Sequence, residues 1–322
     1  MPPRHATGDL TARAATVNHV SDDQPFDQVV PVPRSFVDMP RWWSDGAQWL
    51  ADLPSLIGAQ CAAWGLRVAG PAAHGSNALV IPVERDGERF ALRLTPPGPD
   101  VAAQARALRF WDGRGMVRLV DDDTDNGALL LEWLYGGGSL RDVPVHEAVG
   151  VLGSMMRRLA VPAPADAPST RSIVEARADE LERDWHRLGG PFDETVLAEA
   201  IGAAGRLASG PTDGGVDLAV DGDLHSDQVL RASREPWLAI DPILLRGDID
   251  YDLARVLWTR LDDMADGDIV RHFATVVRAA GIDVDHARDM VVFRAVDYWL
   301  WGLDAGLTED PLRCRRLVEA FG

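Results

Sequence analysis

Three polar residues that could act together in catalysis lie between positions 218 and 242. Asp223 follows a short apolar run, Gln228 comes five residues later, and Asp241 ends a second apolar run. An aspartate on a loop after a strand can accept the proton of a substrate hydroxyl, and an amide five residues on can ligate a metal. A second aspartate at the end of a strand can bridge Mg²⁺ to nucleotide phosphates. The spacing predicts phosphoryl transfer, with both carboxylates close enough to share one metal and phosphate site.

The composition narrows the choice of function. The chain has 322 residues and a formal net charge of −18, and all 32 of its Lys and Arg residues are arginine. The absence of lysine excludes the Walker A loop, pyridoxal-phosphate enzymes and Schiff-base aldolases, which need a lysine side chain. Excess negative charge repels nucleic acid and anionic lipid and attracts cations. We therefore expect a small cationic or polar hydroxylated substrate, and neither nucleic acid nor a membrane as partner.

The N-terminal region carries no secretion signal that we recognise. Arg4, His5 and Asp9 stand where a signal peptide would have its apolar core, and no apolar run is long enough to span a bilayer. Cys61 and Cys314 do not form a metal-ligand pair, and two cysteines do not make a disulfide scaffold. We expect a cytoplasmic protein with two buried thiols.

The elements that must position the polar residues form two groups. Residues 1–35 are polar and proline-spaced, which predicts a flexible N-terminal tail. Residues 36–133 contain an amphipathic helical pattern, five short apolar runs and one inserted helix, which together predict a small lobe. Beyond a candidate glycine hinge at 135–138, the rest of 134–322 is mainly helical and is interrupted only at 216–241. The predicted fold class is α+β, with a five-stranded antiparallel lobe followed by a larger helical lobe.

The order of these motifs resembles the aminoglycoside phosphotransferase family, and within it the streptomycin and hydroxyurea phosphotransferase branch. The Gly-Asp-x-His segment at 222–225 and the phrase at 234–242 are the most similar parts. Further matches lie at 64–66, 108–111, 115–119, 251–254 and 301–306. The resemblance implies a bilobal protein-kinase-like fold. It also implies transfer of the γ-phosphate of ATP, with Mg²⁺, to a hydroxyl of an aminoglycoside-like molecule such as streptomycin.

The resemblance implies roles for four residues of the second lobe. Asp223 occupies the place of the catalytic base, and Asp241 that of the principal Mg²⁺ ligand. Gln228 occupies the place of the second metal ligand. His225 matches a histidine that braces the catalytic loop, which is a structural role rather than proton transfer.

In the first lobe the resemblance implies a nucleotide site. Ser76 and Asn77 lie in the turn that would cover the phosphates, and Arg93 stands where a lysine of the third strand is expected. An arginine still supplies positive charge and forked donors to a phosphate. Glu132 and Leu134 fall where backbone groups would bind adenine.

Three residues of the second lobe are candidates for substrate binding. Asp262, Trp301 and Asp304 could line a site for a cationic sugar. Trp301 lies on a predicted helix beside Tyr298 and Trp299, where packing in the core is the simpler interpretation.

Four positions depart from the family pattern, which leaves two other functions open. Asp221 replaces a histidine, Gln228 an asparagine and Arg93 a lysine, and Gln104 stands near the expected helix glutamate. The Lys–Glu ion pair of an active kinase therefore has no ionic counterpart. One alternative is a kinase-fold protein that binds a nucleotide or ligand without useful catalysis. The other is a kinase for a cellular metabolite.

The remaining acidic residues near the motifs have simpler interpretations. We expect Asp221, Asp227, Asp248 and Asp250 to be solvated charges, turn residues or helix caps, with Asp250 as an N-cap candidate. Asp252 is expected to be a structural hydrogen-bond acceptor.

Overall fold

A computed structural model describes residues 32–38, 46–134, 138–209 and 216–321. The chain divides into two compact units, Met1–Gly136 and Gly137–Gly322. The predicted tail up to residue 31 and positions 135–137 of the candidate hinge lie outside the described residues. None of the described helices has the length and apolar composition that a membrane crossing requires.

Within its described residues, the first unit consists of one antiparallel sheet and three helices. The strands are β1 Arg67–Val68, β2 Ala73–His74, β3 Leu79–Arg85, β4 Glu88–Leu94, β5 Leu119–Asp123 and β6 Ala128–Glu132. The helices are α1 Arg34–Val37, α2 Gly46–Trp64 and α3 Pro99–Trp111, with a 3-10 turn at Thr124–Asn126. The strands pair in the order β1-β3-β4-β6-β5, and β2 pairs separately with β3.

The hydrophobic pattern explains why α2 lies against the sheet. Trp49, Leu53 and Ile57 recur every four residues along α2 and are buried. Alternate residues of β3, Leu79 and Ile81, are fully buried in the same cluster. These are the periods of a helix and a strand that each bury one face. The core of the first unit therefore forms between α2 and one face of the sheet.

The sheet has one strand more than the sequence predicts. β2 contains only two residues, and it pairs with β3 at Ala73 opposite Val80 and His74 opposite Leu79. A two-residue strand is too short to produce an alternating pattern, so periodicity does not reveal it. A second difference is α1, which begins inside the predicted tail and buries Phe36 completely in the α2 cluster.

Helices dominate the described residues of the second unit, as the sequence predicts. They are α4 Val145–Leu159, α5 Thr170–Arg187, α6 Glu194–Ala208, α7 Leu253–Trp258, α8 Ile269–Ala280, α9 Val284–Asp304 and α10 Glu309–Glu319. The short strands between them are β7 Leu218–Asp221, β8 Val229–Arg231, β9 Trp237–Ala239 and β10 Leu244–Gly247. Helices α4, α6 and α8 each bury one apolar stripe, as their amphipathic pattern requires.

Two small antiparallel ladders position the polar residues of the second unit. β7 pairs with β10, and β8 pairs with β9. Because the β8–β9 hairpin is nested between β7 and β10 in the chain, the connecting segments 222–228 and 240–243 run side by side. Asp223 and Gln228 lie on the first segment, and Asp241 lies on the second. The strand pairing therefore brings these three residues together.

Candidate active site

Asp223 lies in the loop that follows β7, and its carboxylate is held on both oxygens. Oδ1 forms an ion pair with Nε of Arg255 at 2.5 Å, and Oδ2 accepts a hydrogen bond from Nε2 of Gln228 at 3.2 Å. The backbone N–H of Asp223 donates to Oδ1 of Asp221 at 3.3 Å. The Asp223 side chain is still 19% exposed. The carboxylate is thus fixed in orientation and remains reachable from solvent.

The β8–β9 hairpin places Gln228 beside Asp241. The backbone N–H of Ile240 donates to the carbonyl oxygen of Gln228 at 2.8 Å, and Asp241 follows directly. Asp241 has a φ of 59°, a left-handed conformation that is uncommon outside glycine and that Asp tolerates better than most residues. Such backbone positions cost energy and often occur at functional sites. The hairpin thus brings the backbone of Gln228 within one residue of Asp241.

The donor set of Asp241 and Gln228 suits Mg²⁺. Magnesium usually keeps several waters and takes one or two carboxylates together with substrate phosphates, rather than a complete protein cage. In the described parts of the chain, no group of three or more His, Cys, Asp or Glu side chains is placed to hold a metal. One carboxylate and one amide oxygen are therefore compatible with Mg²⁺ that arrives with a nucleotide.

Asp221 is buried beneath the two loops, and the expectation of a solvated charge or turn residue is wrong. It is 3% exposed, because it ends β7 and pairs there with Leu244 of β10. Its Oδ1 accepts the backbone N–H groups of Asp223 and Ile243, each at 3.3 Å, and so links the two loops. Burial and then the negative charges of Asp223 and Asp241 raise the pKa of Asp221 to about 8. Its Oδ2 is buried without a hydrogen-bond partner.

Two further acids, Asp252 in the matched segment 251–254 and Asp250 just before it, are also buried. Asp252 is 2% exposed, and burial together with the charge of Asp221 raises its pKa well above the usual value. Asp250 is equally buried and lies 2.7 Å from Nδ1 of His286. The N-cap prediction for Asp250 is wrong, because the 3-10 helix Ile249–Asp252 begins before it.

His225 has the surroundings of a structural residue. It is 8% exposed, and its Nδ1 accepts the backbone N–H of Asp227 at 3.4 Å. Its carbonyl oxygen accepts the backbone N–H of Gln228 at 3.0 Å. These contacts close the 3-10 turn Ser226–Gln228, which suits the bracing role that the resemblance implies.

In the first unit, the candidate phosphate residues lie on one edge turn and one strand. Ser76 and Asn77 follow Gly75 in the turn between β2 and β3, which closes through the N–H of Gly75 and the carbonyl of Ala78 at 2.9 Å. The Oδ1 atom of Asn77 is buried without a hydrogen-bond partner. Arg93 lies on the neighbouring strand β4, opposite Val80 of β3.

The candidate adenine residues lie at the end of β6 and just after it. Oε1 of Glu132 accepts the backbone N–H of Arg118 at 3.2 Å, and the N–H of Glu132 donates to the carbonyl of Arg118 at 3.0 Å. Leu134 is partly buried two residues later. Gln104, at the position of the missing helix glutamate, is buried on α3.

The structure connects two of the three candidate substrate residues. Asp262 accepts a hydrogen bond from Nε of Arg313 at 2.8 Å, and Arg313 also binds Asp310 at 2.8 Å. Asp310 accepts the hydroxyl of Tyr298 at 3.0 Å, and the ring of Tyr298 stacks on Trp301 at 5.0 Å. A chain of contacts therefore links Asp262 to Trp301.

The third candidate, Asp304, belongs to a different set of contacts. It forms an ion pair with Arg187 at 2.5 Å, and its side chain is 50% exposed. Arg187 also binds Asp184 at 3.2 Å, and Asp184 binds Arg177 at 3.0 Å. Asp304 is thus neutralised by an arginine on the surface of α5.

Sequence reasoning missed Arg255, which lies on α7. It is 5% exposed and is the charged residue within the otherwise apolar run Leu253–Trp258. A charge inside a buried apolar run needs a partner, and that was the signal in the sequence.

The fold is that of protein-kinase-like phosphotransferases. A thermostable mutant of aminoglycoside phosphotransferase APH(4)-Ia, in a ternary complex with AMP-PNP and hygromycin B, has a TM-score of 0.59 at 19% identity, covering 82% of this chain and 97% of that one. Choline kinase LicA from Streptococcus pneumoniae has a TM-score of 0.56 at 11% identity, covering 84% of this chain and 98% of that one. At such identities the likeness concerns the fold, and it confirms the predicted α+β kinase-like class.

Sequence comparison identifies the family. Residues 63–306 match the aminoglycoside/hydroxyurea antibiotic resistance kinases. Streptomycin 6-kinase of Streptomyces griseus is 36% identical over 272 residues, which cover 82% of this chain and 87% of that protein. Hydroxyurea phosphotransferase of Kitasatospora aureofaciens is 34% identical over 300 residues, covering 91% and 86%. The chain belongs to the aminoglycoside/hydroxyurea antibiotic resistance kinase family, as the motifs predicted, and is a small-molecule phosphotransferase.

Proposed function

We propose that this protein transfers the γ-phosphate of ATP to a hydroxyl of a streptomycin-like aminoglycoside. The observation that supports it most is the carboxylate of Asp223, which Arg255 and Gln228 hold on both oxygens beside the loop of Asp241. A fixed, partly exposed carboxylate is what phosphoryl transfer to an alcohol needs as a base.

Asp223 orients the substrate hydroxyl and accepts its proton. Each carboxylate oxygen offers two lone-pair positions, so the contacts with Arg255 and Gln228 leave acceptor positions for the hydroxyl. As the hydroxyl oxygen bonds to the γ-phosphorus, the bond from that phosphorus to the β-γ bridging oxygen breaks and ADP leaves. The proton passes to Asp223, so the charge and the atoms balance.

Asp241 and Gln228 would hold Mg²⁺. Bound there with the nucleotide, the ion would neutralise negative charge on the phosphate oxygens. Gln228 donates its amide N–H to Asp223 and so has its amide oxygen for the metal. This arrangement would let one side chain align both the base and the metal.

The first unit would supply the nucleotide contacts. Ser76 and Asn77 would approach the phosphates, and the unpartnered buried oxygen of Asn77 indicates a polar turn that lacks its full set of contacts. Arg93 would add a positive charge. Backbone groups at Glu132 and Leu134 would bind adenine.

The substrate assignment follows from the family and from charge. Two relatives, 36% and 35% identical to this chain, are streptomycin 6-kinases. The net charge of −18 favours a cationic substrate. Because ATP is the phosphate donor, we propose that the enzyme acts in the cytoplasm.

A panel assay tests this proposal. Purified protein with ATP and Mg²⁺ should release ADP faster with streptomycin than with hydroxyurea, choline or simple sugars. Faster turnover of a sugar or amino alcohol would favour the metabolite kinase instead. Absence of turnover with every compound would contradict the proposed function.

The alternative of a nucleotide-binding protein without catalysis is favoured by one observation, since Arg93 and Gln104 leave the Lys–Glu ion pair of an active kinase without an ionic counterpart. Calorimetry separates the two cases. Binding of Mg-ATP in a protein that turns over none of the panel would favour the binding protein.

A further inference from the structure

We infer that Arg255 is a positioning residue for Asp223, so that turnover depends on an arginine outside the motifs that define the site. The inference rests on the proposed function, because it takes Asp223 as the base. It depends on the contact between the two side chains, their burial and the charges around them.

The contact joins two elements of the second unit. Nε of Arg255, on α7, lies 2.5 Å from Oδ1 of Asp223 in the loop after β7. The N–H does not point along this line, so the contact is an ion pair rather than a linear hydrogen bond. An ion pair of this length fixes the loop to the helix.

Burial makes the pair strong enough to matter. The side chain of Arg255 is 6% exposed and that of Asp223 is 19% exposed. Water screens such charges less than it screens surface ions, and removing one partner leaves the other buried and unpaired. The loop would then lose the contact that fixes one oxygen of its carboxylate.

Asp223 lies among buried acidic groups, and Arg255 is one of two arginines whose charges oppose them. Asp221 and Asp252 are buried carboxyl groups close to Asp223. On Asp252, the charges of Arg294 and Arg255 oppose those of Asp221 and Asp223. Without Arg255, Asp223 would keep its acidic neighbours and the hydrogen bond from Gln228 but lose its ion-pair partner. We expect the Asp223 side chain to move away from the hydroxyl that it must orient.

Kinetics of three variants test the inference. Arg255→Met keeps the length and apolar stem of the side chain and removes its charge. We expect kcat to fall by about 10²-fold, as for a misplaced catalytic group, while the affinity for Mg-ATP changes less than about threefold. Arg255→Lys restores the charge but not the planar head. Its kcat should be at least about tenfold higher than that of Arg255→Met.

Arg260→Met is the matched control. Arg260 is also buried, at 4% exposure, but it binds the carbonyl oxygens of Leu140 and Val143 and the carboxylate of Asp263. The control loses a buried arginine and should keep kcat within about threefold of the wild type. An equal fall in kcat for Arg260→Met, or a lysine variant no better than the methionine variant, would overturn the inference.

A stability cycle tests the pair without any substrate. Unfolding in urea is measured for wild type, Arg255→Met, Asp223→Asn and the double variant. Arg255→Met should lower the folding equilibrium constant of the wild-type protein. In the Asp223→Asn background the same substitution should cause a fall at least about fivefold smaller, since the pair is already broken there. Inactive wild-type protein would contradict the proposed function, and this cycle would still decide the inference. Additive effects would overturn it.

Discussion

The Asp223 loop and the exposed candidate substrate acids Asp262 and Asp304 contain the same residue types in very different surroundings. Around Asp223, the side chains of Asp221, Asp252 and Arg255 are almost completely buried. Asp262 lies in the 3-10 helix Leu261–Asp263 and Asp304 ends α9; both are about half exposed, and each is paired with an arginine. Exposed pairs contribute little because water screens them, whereas buried charges are costly and strongly coupled to their neighbours. The comparison favours the loop as the place of the proposed chemistry.

The largest expected effects are at the loop itself. Asp223→Ala should lower kcat by roughly 10²–10⁴ and leave Mg-ATP binding largely intact, because it removes the proposed base. Asp241→Ala should abolish Mg-ATP-dependent turnover, because it removes the proposed metal ligand. Steady-state kinetics and calorimetry measure both. An equal loss of nucleotide affinity in the two variants would show that one role is misassigned.

A second effect concerns pH and the buried Asp221. Its pKa is raised to about 8 in the folded protein, so the folded state binds a proton that the unfolded chain releases. The free energy of unfolding should therefore fall as pH rises from about 4 to about 8. Asp221→Asn removes this dependence, and its stability relative to wild type should rise by about 2–3 kcal/mol between pH 5 and pH 7.

Urea unfolding at several pH values measures this difference. If the stability difference between Asp221→Asn and wild type stays constant with pH, Asp221 is ionised in the folded protein and the prediction is wrong.

Arg93 is intermediate in burial between the residues around Asp223 and the exposed acids, since it is partly buried on β4. Arg93→Ala should raise the KM for ATP about tenfold, as expected for the loss of one charge-assisted contact to phosphate. Arg93→Lys should keep part of this affinity, because the charge remains and the fork is lost. Unchanged ATP kinetics in Arg93→Ala would remove Arg93 from the nucleotide site.

The smallest effects are expected at the two exposed acids, Asp262 and Asp304. Asp262→Ala and Asp304→Ala remove acids that Arg313 and Arg187 already neutralise. The KM for streptomycin should therefore change by less than about threefold in each variant. A tenfold rise would instead assign that acid to the substrate and would weaken the contrast between the two regions.

Much of the fold and the family could be predicted from the sequence. The helices of the second unit follow from apolar periodicity, and the ordered motifs carried the family and fold class. The nested β7–β10 and β8–β9 ladders explain why Gln228 and Asp241 become neighbours. Periodicity could not show β2, because two residues make no pattern.

Burial of polar side chains was the part that could not be predicted. Aspartate is usually exposed, so the solvated interpretation of Asp221 and Asp250 was the natural one. Asp221 is buried by β10 and Asp250 by His286. Both partners are distant in sequence from the residue that they cover. Arg255 was missed for the same reason, since its partner lies 32 residues earlier in the chain.

Mass spectrometry of streptomycin incubated with the purified protein, ATP and Mg²⁺ tests the central claim most directly. We predict that streptomycin gains one phosphate with the wild-type protein and that one ADP appears for each phosphate transferred. Under the same conditions, Asp223→Ala should give at most a trace of the product. Unmodified streptomycin, in the presence of wild-type protein that calorimetry shows to bind Mg-ATP, would contradict the account.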